Sequence, residues 1–219
     1  MEDYIKIMKK QIILVLSLLL FQTSIFCHPH LFIDSKEEIV FENGKVQGLW
    51  LEWTFDEYFS SEQQFYYDWD QNNYYDEKET EALYNNVFIN LKHYKFFTFI
   101  RQGRVRTYPD KVHNFKARQE NGNLIYTFYI YLSTLEGNEF YLSLYDFTFF
   151  CAIETSIKNV KLTFDENTMN VTCDMEQNKE YPVYYDPYGS LDDDTVYEKW
   201  RPGLEVFYPY EIHIKYENK

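Results

Sequence analysis

The sequence predicts an α+β fold, a mostly antiparallel β-sandwich or barrel-like sheet that carries an α-helical, EF-hand-like insertion. Three observations predict it. Aromatic residues make up 21% of the chain and gather in stretches such as Tyr126-Thr127-Phe128-Tyr129-Ile130-Tyr131, and Tyr and Phe suit the pleated, half-buried surface of strands. Apolar and polar residues alternate with the two-residue period of strands through 31–41 and 46–55, with Glu42-Asn43-Gly44-Lys45 between them as a tight hairpin turn. Residues 57–91 alone break that rhythm: Glu62-Gln63-Gln64-Phe65-Tyr66 and Glu77-Lys78-Glu79-Thr80-Glu81-Ala82-Leu83-Tyr84 favour helix, and Ala82, Leu83, Val87 and Leu91 recur at helical spacing.

Taken in order, the chain opens with Lys6, Lys9 and Lys10, followed by an uncharged run whose apolar block covers 12–21. This is the basic and then apolar pattern of a signal peptide. A membrane-spanning helix needs roughly 17–25 mostly apolar residues, and the block gives way to Gln22, Thr23 and Ser24 before reaching that length. We therefore expect residues 1–27 to be a signal peptide cut between Cys27 and His28, with Phe26 arguing against an acylated Cys27. Residues 28–219 are expected to form a single β-rich domain, periplasmic or otherwise exported, with no transmembrane segment left after cleavage.

Further hairpins are expected at 112–119 with 124–133, across Glu120-Asn121-Gly122-Asn123, and at 160–164 with 169–174, across Asp165-Glu166-Asn167-Thr168. Pro182, Pro187, Pro202 and Pro209 punctuate the tail. Leu191-Asp192-Asp193-Asp194 is expected as a solvated loop there, and 211–216 as a closing strand. Cys151 and Cys173 are the thiols left after processing. In an oxidising compartment, and with 160–174 read as a hairpin that brings their strands together, a Cys151–Cys173 disulfide is expected.

From His28 onward, 33 acidic residues face 18 basic ones, a formal charge of −15. Such a surface repels nucleic acid and anionic membranes and attracts cations. No Gly-rich phosphate loop, Gly-x-Ser-x-Gly elbow, His-Glu-x-x-His pair or Cys-x-x-Cys is present, and no pair of carboxylates stands out for acid and base work, so no enzymatic role is expected.

Two constellations point to metal ions. Counted from Asp68, oxygen-bearing side chains fall at positions 1, 3, 5, 9 and 12 of the stretch 68–79, the ligand spacing of an EF-hand calcium loop. Asp68, Asp70 and Asn72 would offer side-chain oxygens, Tyr74 its carbonyl, Asp76 a direct or water-mediated contact, and Glu79 a bidentate carboxylate. Asn73 stands at position 6, where Gly is usual; Asn is the residue that best tolerates the left-handed conformation needed there. Tyr75 stands where a smaller aliphatic is usual. The second constellation is His28-Pro29-His30. A new N-terminus at His28 would offer an α-amine and an imidazole, with His30 following, a nitrogen set suited to Ni²⁺, Co²⁺, Zn²⁺ or Cu²⁺. Pro29 lacks an amide proton, so further ligands must come from elsewhere; His93, His113 and His213 are the remaining histidines.

His28-Pro29-His30-Leu31-Phe32-Ile33-Asp34 after the leader, Trp53-Thr54-Phe55-Asp56-Glu57-Tyr58-Phe59-Ser60, the 68–79 loop, Phe96-Phe97-Thr98 and Tyr145-Asp146 resemble the bacterial family named domain of unknown function 1007. That resemblance implies the periplasmic component of an uncharacterised ABC-type transport system, associated with nickel, cobalt or zinc. The family loop commonly has the Gly that Asn73 replaces. The resulting expectation is an exported metal-binding accessory protein that captures or presents divalent transition metals to a membrane metal transporter, with Ca²⁺ in its acidic loop. Two alternatives remain: an envelope protein-interaction module with a purely structural calcium loop, and a copper-dependent oxidative enzyme using the N-terminal His.

Overall fold

A computed structural model describes residues 28–190 and 195–219. The expected signal peptide, 1–27, and the expected solvated loop, 191–194, lie outside the described residues. The described residues are mostly β, and among them there is no closed barrel.

The first hairpin forms as its pattern dictates. Strand β1 (Leu31–Glu42) pairs antiparallel with β2 (Lys45–Phe55). Asn43 and Gly44 both take left-handed φ at the turn, 53° and 75°, as a two-residue hairpin requires. Along β1 the inward positions are Ile33, Ser35, Glu37, Ile39 and Phe41, so period-2 alternation places one carboxyl on the core face. In β2, Gly48 is buried because the Tyr129 ring lies across it; a Cβ there would meet that ring at 2.2 Å and the Ile130 carbonyl at 2.7 Å.

Helix α1 (Glu57–Tyr67) starts where Asp56 caps it: one carboxylate oxygen accepts the Phe59 amide at 2.9 Å and the other accepts Phe32 N–H at 2.8 Å. The cap therefore ties the helix start to β1. Ser60 extends the tie, donating to the Phe55 carbonyl and accepting the Leu124 amide at 2.8 Å. Helix α2 (Glu77–Asn86) follows, and then a 3₁₀ segment, Phe88–Phe97. The helical stretch so runs past residue 91. It ends on Lys95, Phe96 and Phe97, three successive non-glycine residues at φ 59°, 46° and 50°. Left-handed backbone costs an L-residue roughly 1–2 kcal/mol; burial of the Phe96 and Phe97 rings, 0% and 2% exposed, holds it in place.

The remaining strands are β3 (Thr98–Gln102), β4 (Val105–Thr107), β5 (His113–Glu120), β6 (Asn123–Tyr131), β7 (Glu139–Leu144), β8 (Cys151–Glu154), β9 (Val160–Thr163), β10 (Met169–Gln177), β11 (Val183–Tyr185), β12 (Glu205–Phe207) and β13 (Tyr210–Asn218). One sheet runs β5-β6-β2-β1-β8, with β9 also on β1; another runs β10-β13-β7-β3-β4; β11 and β12 form a small ribbon. The inner faces of the two large sheets share a core that includes Leu49, Leu51, Trp53 and Phe128 from the first and Phe140, Leu142, Ile212 and Ile214 from the second. Helical residues Leu83 and Phe88 join it, and Phe88 meets Phe128 at 4.9 Å between ring centres.

The expected hairpin at 112–133 forms as β5 and β6, and the closing strand as β13. The sheets are mostly antiparallel as expected, with β8 and β9 running parallel to β1. One expectation is corrected. The 160–174 stretch is not a hairpin: β9 joins β1 in the first sheet while β10 joins β13 in the second, so the Asp165 turn carries the chain from one layer to the other. Among the described residues, no helix is long and apolar enough to cross a membrane.

Candidate metal centre

The loop between α1 and α2 is built from its own carboxylates. Asp68 closes α1 and is 2% exposed; its two oxygens accept the amides of Asn72 and Asn73 at 3.0 and 2.9 Å. Asp70 accepts the Asn72 amide and side chain, at 3.2 and 2.8 Å, and Asn72 in turn accepts Tyr74 N–H at 2.7 Å. Asp76 caps α2 by accepting the Glu79 amide, and Glu79 answers by accepting Asp76 N–H, each at 2.9 Å. This is the reciprocal capping box that an Asp followed three residues later by Glu allows. The other Glu79 oxygen reaches back across the loop to Trp69 N–H at 2.7 Å.

Three carboxylates converge. Ligand atoms of Asp68, Asp70 and Glu79 lie within 4.8 Å of one another. None of the three pairs with a basic side chain among the described residues, so their mutual repulsion is opposed only by neutral donors. Asn73 takes φ 62°, the conformation that its position demands, and its side chain is fixed by Gln64 at 2.6 Å. Tyr75 fits because it turns inward, 2% exposed, with burial pushing its hydroxyl up to about 12. Of the six expected calcium ligands, Asp76 stays outside the three-carboxylate group, at the N-cap. Asn72 and Tyr74 lie on the same loop, exposed.

His28 and His30 are also brought together. Their ring centres are 4.5 Å apart, and the Phe150 ring lies 5.0 Å from His30. The strand edge positions the pair, since His30 N–H donates to the Phe150 carbonyl at 2.8 Å. His28 Nδ1 and His30 Nε2 are both buried without a hydrogen-bond partner. Burial and the neighbouring His28 lower the pKa of His30, partly offset by the Ser190 backbone, which favours the neutral, lone-pair-bearing ring. Among the described residues, no third His, Cys, Asp or Glu joins them at ligand spacing. The other histidines are placed elsewhere: His213 sits between Glu139 and Asp174, His113 lies against Tyr131, and His93 is exposed on the 3₁₀ segment.

The expected Cys151–Cys173 bridge is absent, and both thiols are free. Cys151 lies in β8 of the first sheet and Cys173 in β10 of the second; the crossing at Asp165 separates what a hairpin would have joined. Burial pushes the Cys151 thiol far up and that of Cys173 up to about 11, so both are poor nucleophiles. Thiol labelling of the unfolded, unreduced chain from His28 onward is expected to count two reactive thiols; a count of zero would restore the bridge.

Three buried acids escaped the sequence reading: Glu37, Asp146 and Glu211. Glu37 was signalled by its place in an alternating strand, at an inward position between Ser35 and Ile39. Asp146 was visible only as part of Tyr145-Asp146; its oxygens accept Thr148 N–H, the Thr148 hydroxyl and Cys151 N–H at 2.9, 2.8 and 3.0 Å.

A family model described as "Protein of unknown function (DUF1007)" matches residues 13–216. The chain belongs to this family. A curated relative, an uncharacterised protein of Haemophilus influenzae, is 30% identical over 140 residues, which is 62% of this chain and 66% of the relative. The chain thus spans just under two thirds of that relative's length. No solved structure matches. Family membership accordingly carries no activity with it, and the loop and the histidine pair have to be argued on their chemistry.

Proposed function

We propose that this DUF1007 protein is an exported, non-catalytic metal-binding protein whose 68–79 loop holds Ca²⁺. The observation that carries this reading is the convergence of Asp68, Asp70 and Glu79 within 4.8 Å, with no basic partner. A hard, oxygen-seeking cation relieves that repulsion, and a flexible loop ending in a carboxylate suits Ca²⁺ better than Mg²⁺, which demands tight octahedral geometry. With Asn73 in place of Gly, the affinity expected is that of extracellular modules, roughly 10⁻⁴–10⁻³ M.

Thermal unfolding with and without Ca²⁺ tests it. Ten times the dissociation constant of ligand should stabilise by about 1.4 kcal/mol. Asp68→Ala and Glu79→Gln should each abolish the gain, and Asn73→Gly should enlarge it. Glu79→Gln keeps one acceptor oxygen, for either the Trp69 or the Asp76 amide, so the gain from Ca²⁺ is read against the same variant without Ca²⁺. Melting that ignores both Ca²⁺ and chelator would reduce the loop to an acidic turn.

The two buried, unpartnered nitrogens of His28 and His30 support a second, transition-metal site, in keeping with a role in presenting Ni²⁺, Co²⁺ or Zn²⁺ to a transporter. Replacing both His in a chain that begins at His28 should weaken the binding of these ions, and unchanged affinities would end the idea.

A further inference from the structure

A cavity of about 370 Å³ opens beside the first sheet, between β1, β2, α1, the 3₁₀ segment and the β7–β8 connection. Its walls are mostly apolar: Leu31, Phe55, Phe59, Leu91, Phe97 and Phe150 come from five different parts of the chain. Interiors are ordinarily packed with few voids larger than a water molecule, and 370 Å³ falls in the range of small-molecule sites, roughly 300–1,000 Å³. A cavity left empty at this size forfeits dispersion contacts along its whole wall. Phe97, one of the three successive left-handed residues, helps to line it, so a strained backbone is maintained where the wall is made.

The polar part of the lining decides what the cavity admits. Among the described residues, no Lys, Arg or His lines it. Asp146 does, and its side chain is held by neutral donors alone, with no basic partner among the described residues. The Tyr126 hydroxyl, on another lining residue, is buried without a hydrogen-bond partner. An anionic head would enter beside an uncompensated acid in an apolar wall, whereas an ammonium or hydroxyl head would not be repelled.

We propose that this cavity is a binding site for an apolar small molecule whose polar end is neutral or cationic, of the aliphatic amine or alcohol class, and that it rejects the corresponding carboxylates. This site is separate from the calcium loop, none of whose carboxylates line it, and it adjoins the histidine pair through Phe150, a lining residue 5.0 Å from the His30 ring, although neither His28 nor His30 lines it.

The test is displacement of a neutral naphthylamine dye from the folded chain beginning at His28, in buffer of about pH 8, where decylamine is charged and decanoate ionised. Saturable dye binding is expected, with decylamine and decanol displacing it at concentrations at least about tenfold below decanoate. Leu91→Trp, which fills the cavity from its half-buried wall, should lose dye binding while keeping the melting transition. Should that variant fail to fold, the three competitors on the unaltered chain still decide the matter. Dye that does not saturate, or decanoate that competes as well as decylamine and decanol, overturns the proposal, as does full binding by a folded Leu91→Trp chain.

Discussion

Arg101→Ala is expected to lower the stability at neutral pH by about 3–5 kcal/mol, the usual consequence of stripping the partner from a buried charge. Arg101, in β3, reaches across β7 to Glu211, in β13, whose side chain is 2% exposed. Its Nε donates to both carboxylate oxygens at 2.9 and 3.2 Å, Nη2 adds a further bond, and Nη1 donates to the Gly103 carbonyl at 2.8 Å. The guanidinium also stacks 3.7 Å above the Tyr141 ring. Burial pushes the Glu211 carboxyl up, and the bonds of Arg101 and Asn178 with the charges of Arg101 and Arg106 more than reverse this, leaving it below the usual range. A lowered carboxyl stabilises the fold above its unfolded value and loses that contribution as pH falls. The deficit of Arg101→Ala should therefore be largest near neutrality and shrink in acid, where the orphaned Glu211 takes up a proton. Adding Glu211→Gln to Arg101→Ala should restore part of the loss. Denaturant unfolding at several pH values measures this, and a deficit below about 1 kcal/mol at neutral pH would mean that other groups compensate the buried charge.

The second large effect has the opposite pH sense. Glu37 is 1% exposed on the core face of β1, and neither of its carboxylate oxygens makes a hydrogen bond of ordinary geometry. Burial raises its pKa from 4.5 to about 7; the Ser35 hydroxyl offsets part of this and the charge of Asp34 adds to it. A raised carboxyl favours the folded state fully below its unfolded value, so stability should decline as pH climbs from about 4.5 to about 7 and then level off. The shift corresponds to about 3 kcal/mol. Glu37→Gln should flatten that decline and, at alkaline pH, raise the melting temperature by roughly 6–12 °C for a chain of this size. Equal pH profiles for Glu37→Gln and the unaltered chain would show that the core ionises Glu37 without penalty.

The elements that sequence revealed are those whose cause is local. Asn43-Gly44 fixes the first hairpin whatever lies around it, and Asp56 and Asp76 mark two helix starts by their own side chains. The acidic cluster was legible for the same reason, since all its carboxylates fall within twelve residues and the capping box that shapes them is written there too. The errors arose where distant partners decide. Asp165 and Asn167 make a turn by bonding to each other at 2.9 Å, and that chemistry is the same whether the flanking strands pair together or part for different sheets. The parting reflects an open edge on β1 over a hundred residues earlier, which no local pattern announces. The left-handed Lys95–Phe97 run carries no Gly or Asn to signal it, and it is sustained only by the burial of its rings. The cavity was illegible because no two neighbouring elements make it.

The order of the strands has a further consequence for how the fold comes into being. Strand β1 must wait for residues 151–154 and 160–163 to gain its neighbours on one side, and β13 is inserted between β10 and β7 in its own sheet. The second sheet cannot close until the nine residues of β13 take their place in its interior. Pairings of such long sequence separation form slowly and leave aromatic strand edges uncovered in the meantime. The second sheet therefore stays unfinished until residues 210–218 are available, whereas the first has all its strands once residue 163 has been made.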